Sequence, residues 1–124
     1  IEKRTILIIK DEEKIAIQKR PEKGLLAGLY EFPNLEGHLT RKQLIEYAKS
    51  IGMMPVRIKK LENAKHIFSH VEWHMTGYEI IVDELEKTCR ADMIFADKKE
   101  VMGKYPIPTA FSAYTQYALS IMEN

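Results

Sequence analysis

The stretch from His66 to His74 holds the residue types most able to do chemistry, and spacing decides what they could do. His66, His70 and His74 recur every four residues, and on a helix they would line one face as zinc ligands. The intervening Phe68, Val71, Trp73 and Thr76 favour a strand instead. On a strand, His70, Glu72 and His74 share a face but stand ~6–7 Å apart at each step. Three such groups do not converge to the ~2 Å that one metal ion requires. Ser69 and His70 are a nucleophile and a base by type. Adjacent residues on an extended chain point to opposite faces, and no carboxylate is evidently placed to orient the imidazole, which disfavours serine hydrolysis. What remains is a short polar tip, His66-Ile67-Phe68-Ser69-His70, between two apolar runs. It is suited to touching a ligand.

The elements that must position this tip follow from periodicity. Thr5-Ile6-Leu7-Ile8-Ile9 and Lys14-Ile15-Ala16-Ile17-Gln18 are strand-like runs separated by Lys10-Asp11-Glu12-Glu13, which reads as a hairpin. Arg20-Pro21 ends the second strand, because proline cannot donate to a ladder. Gly24 and Gly28 punctuate an apolar loop that finishes in Tyr30-Glu31-Phe32-Pro33. Thr40 with Gln43 is a capping-box pair, and Leu44, Ile45, Ala48 and Ile51 follow at helical spacing, predicting a helix at about 41–51 that Gly52 terminates. From Val56 the pattern returns to strands. Ile67, Ser69, Val71, Trp73 and Met75 fall on one side of an alternation, with Phe68, His70, Glu72, His74 and Thr76 on the other. Tyr78 to Val82 predicts a further strand and Met93-Ile94-Phe95-Ala96 a short one. Asp97 with Glu100 caps a small helical turn, and Ala110, Phe111, Ala113, Tyr114, Tyr117, Ala118 and Ile121 mark a closing amphipathic helix. The order of strands, helix, strands and helix gives an α+β domain with a mixed or largely antiparallel sheet and flanking helices.

Composition narrows the function. At 124 residues and 45% hydrophobic, the chain is read as a single domain, 1–124, with enough apolar material for a core. Lys+Arg 19 against Asp+Glu 18 gives a net charge of +1, so bulk charge does not announce a nucleic-acid binder. The charge is polarised along the chain, however. Arg57, Lys59, Lys60 and Lys65 against Glu62 leave residues 57–70 at +3, and this basic side leads into Phe68-Ser69-His70. Residues 79–100 carry a local −3. The one cysteine, Cys89, excludes an internal disulfide, a four-cysteine zinc site and an iron–sulfur cluster in this chain, and reads as a bystander. No apolar run approaches the ~20 residues of a membrane span, and no signal-peptide pattern opens the chain. The opening on Ile1, directly into a strand-like run, suggests a segment of something longer. A reducing, cytoplasmic setting fits.

Set against the Nudix motif, the helix at 41–51 lacks the expected ligands. That family places a glycine, five residues, a glutamate, seven residues, and then an Arg-Glu-aliphatic-x-Glu-Glu-x-Gly run, whose last two glutamates gather a divalent cation. Anchoring the final glycine on Gly52 puts Ile45 at the arginine, Glu46 at the first glutamate and Tyr47 at the aliphatic position. Lys49 and Ser50 take the two ligand positions, while Glu31 and Gly37 fall on the opening glycine and early glutamate. A lysine there brings like charge to the cation, so metal-dependent pyrophosphate hydrolysis is disfavoured, with no metal ligands and no catalytic residue assigned.

Two motifs together carry a more specific resemblance. Arg20-Pro21-x-x-Gly24-Leu25-Leu26-Ala27-Gly28-Leu29-Tyr30-Glu31-Phe32-Pro33, with His66-Ile67-Phe68-Ser69-His70, is similar to the Nudix-like C-terminal domain of bacterial adenine DNA glycosylases of the MutY type. Tyrosine stands where tryptophan is common, and Pro108-Thr109-Ala110-Phe111 resembles the family's closing motif. The likeness implies base excision repair, with Phe68, Ser69 and His70 recognising 8-oxoguanine opposite a misplaced adenine. It implies double-stranded DNA as partner, together with an N-terminal catalytic domain of the same polypeptide that flips and excises the adenine. The helix-hairpin-helix and 4Fe-4S cluster implied for such a parent have no counterpart here, so this chain alone is expected to excise nothing. Lys65 and Arg20 are the candidate backbone-phosphate contacts. The competing expectations are an active Nudix hydrolase of an oxidised nucleotide and a protein-interaction module.

Overall fold

Five consecutive residues of one strand, Thr5 through Ile9, have no solvent exposure, which places that strand at the centre of the sheet with both faces covered. The computed structural model describes residues 1–85 and 92–122. Cys89 lies outside the described residues, as do Glu86, Lys87 and Arg90 of the acidic half. β1 (Glu2–Asp11) turns back through Glu12 and Glu13 into β2 (Lys14–Lys19). β3 (Tyr30–Glu31) and β4 (Asn34–Glu36) follow the apolar loop, then α1 (Arg41–Ser50), β5 (Met53–Ile67) and β6 (Glu72–Leu85). β7 (Met93–Ala96), α2 (Lys98–Met102), a 3-10 turn (Thr109–Phe111) and α3 (Ser112–Ile121) complete the order. The sheet runs β3-β2-β1-β6-β5, with β4 on β1 and β7 on β2. β1 and β6 are parallel, whereas β1 with β2 and β5 with β6 are antiparallel. This is the α+β mixed sheet with flanking helices that the sequence predicts.

The strand period of two divides the core. Ile6, Ile8, Ile15 and Ile17 point into a cluster with Phe32, Trp73, Met75, Phe111, Tyr114 and Ala118. Leu7, Ile9 and Ala16 point the other way, onto Leu44, Ala48 and Ile51 of the first helical region. α1 begins as predicted: the Thr40 side chain accepts from Gln43 N–H, and the Gln43 side chain accepts from Thr40 N–H. α2 has the same reciprocal cap from Asp97 and Glu100. The predicted strand at 78–82 is part of β6, one continuous strand from Glu72.

α3 lies close to the sheet because one residue has no side chain. A Cβ placed on Gly77 would come within 2.3 Å of the Tyr114 ring. That ring is buried, and its hydroxyl donates to the carbonyls of Glu62 at 2.9 Å and Met75 at 3.3 Å. Gly77→Ala should therefore cost about 1–3 kcal/mol of overpacking, read as a lowered denaturation midpoint. Burial also pushes the Tyr114 phenol up to about 12, against ~10 when unfolded. The neutral phenol's contribution is complete below pH ~10 and is lost as pH rises toward 12. It is worth roughly 2–3 kcal/mol. Stability measured across that alkaline window should fall steeply in the native chain and less steeply in Tyr114→Phe.

Candidate functional site

β5 and β6 pair down to Ile67 and Glu72, and the Phe68 N–H donates to the Val71 carbonyl at 2.7 Å. That bond closes the hairpin and leaves Ser69 and His70 as its exposed two-residue end. Phe68 and Val71 both turn inward and pack on the first core cluster. The alternation read through the tip is corrected here: Phe68 and Trp73 share a side, and Ile67 is exposed, because the turn resets the phase. His66 consequently lies on β5 opposite Trp73, and His74 lies on β6 opposite Lys65. The three histidines are on two strands and a turn.

Trp73 anchors the tip. Its indole is buried and meets the Phe68 ring edge-on at 5.0 Å, while Phe68 also meets His66 at 4.7 Å. On its core side Trp73 lies 5.7 Å from Phe111, and Nε1 donates to Glu2 Oε2 at 3.1 Å. The guanidinium carbons of Arg4 and Arg20 stand 5.2 and 5.3 Å from its ring centroid, within cation–π range.

Arg20 is structural. Its side chain is only 11% exposed, and Nη1 sits 2.5 Å from Oε1 of Glu31, itself 6% exposed. Nε donates to the Leu25 carbonyl at 3.0 Å, and the Arg20 N–H donates to Leu29 O at 2.7 Å. Glu31 also accepts from Gln18 Nε2 and from Asn34 Nδ2, each at 2.9 Å. Arg4 Nη1 in turn donates to Asn34 Oδ1 at 2.9 Å. The guanidinium expected at a backbone phosphate is placed against a buried carboxylate, where it clasps the two ends of the loop. Gly24 at φ +93 and Gly28 at φ +72 supply the loop's left-handed turns.

Lys65 is 57% exposed, on the third rung below the tip, with Nζ 3.5 Å from Glu72 Oε1. The same oxygen is 3.2 Å from His74 Nε2. The adjacent His74 ring, more than the Lys65 contact, holds the Glu72 carboxyl below its usual range. Sequence reasoning missed Glu31, Arg4, Trp73 and Glu2 as site-builders. For Trp73 a signal existed, its inward phase on β6; for the ion network none did.

The helix that would carry a divalent cation is present, and Gly52 follows it at φ +81. Lys49 and Ser50 occupy its ligand positions, and Ser50 Oγ donates back to Tyr47 O at 2.6 Å. Among the described residues, no three His, Cys, Asp or Glu side chains gather into a group that could hold a metal ion. The residues do not fit the cation of the Nudix motif. No described helix is long and apolar enough to cross a membrane.

Removing Arg20 would strand a buried carboxylate, so Arg20→Ala should destabilise by about 3–5 kcal/mol. Adding Glu31→Gln should recover a substantial part, because the orphaned charge disappears. Urea denaturation of both variants measures this; a double variant no more stable than Arg20→Ala would contradict it.

Comparison with known proteins agrees with this geometry. Residues 4–117 match the NUDIX domain. Over 76 residues the chain is 34% identical to the adenine DNA glycosylase of Mus musculus, a match covering 56% of this chain and 15% of that protein. The C-terminal domain of mouse MUTYH, solved in complex with human PCNA, superposes with a TM-score of 0.76 at 21% identity, covering 100% of this chain and 94% of that one. A MutT protein from Bacillus halodurans shares the fold with a TM-score of 0.65 at 14% identity, covering 96% of this chain and 82% of its own. The chain spans a small part of the glycosylase and nearly all of the isolated domain. It belongs to the Nudix domain family.

Proposed function

We propose that this domain inspects 8-oxoguanine opposite misincorporated adenine in duplex DNA, as the C-terminal module of an adenine DNA glycosylase. The observation that carries this reading is the exposed Ser69–His70 end of a hairpin whose Phe68 is locked against Trp73. Excision belongs to the N-terminal catalytic domain of the parent, a hydrolase of N-glycosyl bonds. The parent's 4Fe-4S cluster belongs there too, since a chain with one cysteine does not fit a four-cysteine cluster.

The discrimination is a hydrogen-bond problem. Guanine presents an acceptor at N7, whereas 8-oxoguanine carries N7–H, a donor, and a new acceptor at O8. A fixed carbonyl facing N7 is satisfied by the lesion but opposes an acceptor in ordinary guanine, at a cost of ~1–3 kcal/mol. The Ser69 hydroxyl is less strict, because it rotates and can donate to a normal N7. Backbone groups around Ser69 therefore contribute to selectivity, and the hydroxyl refines it. Phe68 serves by packing, while His70 serves by packing or by a phosphate contact.

In the intact enzyme, Ser69→Ala should weaken preference for the lesion pair by no more than about tenfold, or 1.4 kcal/mol. Single-turnover excision on A:G and A:8-oxoguanine duplexes reads the ratio. Equal losses on both would remove the Ser69 side chain from selectivity.

A further inference from the structure

Three rungs below the tip, on the face opposite α3, lies a cleft of about 310 Å³ whose polar lining is His38, Asn63, Lys65 and His74. Its groups are pre-oriented. His38 Nε2 is 2.9 Å from the His74 carbonyl, which can only accept, so Nε2 carries the proton and the ring is fixed. The loop bearing His38 is pinned by buried Thr5, whose hydroxyl donates to Gly37 O at 2.8 Å and accepts from Leu39 N–H at 2.9 Å. Asn63 Oδ1 accepts from Lys60 Nζ at 3.4 Å, drawing a second ammonium to the rim. The acid in contact with this group is Glu72, held by Lys65 and His74.

We propose that this cleft is a phosphodiester subsite, in which Lys65 and Asn63 take a backbone phosphate of the same duplex whose base the tip inspects, the fixed His38 ring walls the cleft, and Glu72 stands in for that anion when DNA is absent. The inference rests on the reading of the tip as a DNA-inspecting element. Lys65 lies four residues from Ser69, or ~13 Å at ~3.3 Å per residue. That is about four base-pair steps of ~3.4 Å, so one duplex reaches both. A half-exposed ion pair such as Lys65–Glu72 contributes little by itself, and a phosphate bearing a full charge can displace the carboxylate. The cleft reads no sequence. It fixes register.

The test is equilibrium binding of the full-length protein to two duplexes, one fully matched and one with A:8-oxoguanine, across a salt series. Lys65→Ala should weaken both by roughly three- to tenfold and reduce the log–log salt slope by about 0.9. Glu72→Gln should tighten both severalfold, because it removes the competing carboxylate without losing an ammonium. An unchanged affinity and slope in Lys65→Ala, or weaker binding in Glu72→Gln, would overturn the subsite. Failure of the tip reading looks different: the lesion-to-matched ratio would be indifferent to Ser69→Ala and to changes at Phe68 while the salt slope still responded to Lys65.

Discussion

The buried contact between Arg20 and Glu31 is the constraint on which the functional end of this domain depends. A carboxylate at 6% exposure is tolerated only because a guanidinium and two side-chain amides saturate it. The same guanidinium lies over Trp73, and Trp73 holds Phe68. The Gly24–Gly28 loop, β2, β3 and the β5–β6 hairpin are thus tied through one cation. An isolated buried ion pair is weak evidence of net stability. Here its effect is better described as geometric, because it holds the guanidinium beside the indole that Phe68 packs against.

A Nudix frame without its carboxylates keeps the qualities that a recognition surface needs. α1 still caps at Thr40 and ends at Gly52, so the helix survives as a structural member packed by Leu44 and Ala48 on the second core. With Lys49 and Ser50 at its end, it presents a cation and a hydroxyl where an acid pair would concentrate negative potential. Duplex DNA is itself densely anionic. For a duplex approaching as proposed, the loss of acids at the end of α1 and the cations Arg57, Lys59, Lys60 and Lys65 along the edge strand β5 would each lower the electrostatic cost.

Local signals in the sequence were legible where local physics decided them. The first hairpin, the capped helices and β7 follow from period, turn residues and Ser/Thr/Asp caps, all within a few residues. The hairpin tip was misphased because alternation was carried across a turn, and a two-residue reversal brings Phe68 and Trp73 to one face. The alternation from Glu72 and the run from Tyr78 are one strand, β6, whose Gly77 is a point of close approach for Tyr114, 37 positions along the chain. Arg20 looked like a surface cation. Its partners at Glu31 and Trp73 are set by the sheet order β3-β2-β1-β6, which no window of sequence displays. Thr5 is similar, an apparently ordinary strand threonine that pins the loop of His38 from 34 residues away.

Rigidity at the tip matters more than the identity of any single donor. Opposing an acceptor to N7 discriminates only if the acceptor cannot retreat, since a loop that relaxes by an ångström replaces the clash with a water-mediated contact. A two-residue turn closed by the Phe68–Val71 bond, with both closing side chains packed against the core, has few degrees of freedom left to spend on accommodation. A longer polar loop with the same Ser-His pair would present the same chemistry and tolerate either base. Under the proposed function, the strand pairing that brings Ser69 to the surface is therefore part of the selectivity, and the aromatic stack behind it sets how much of the ~1–3 kcal/mol mismatch cost is expressed.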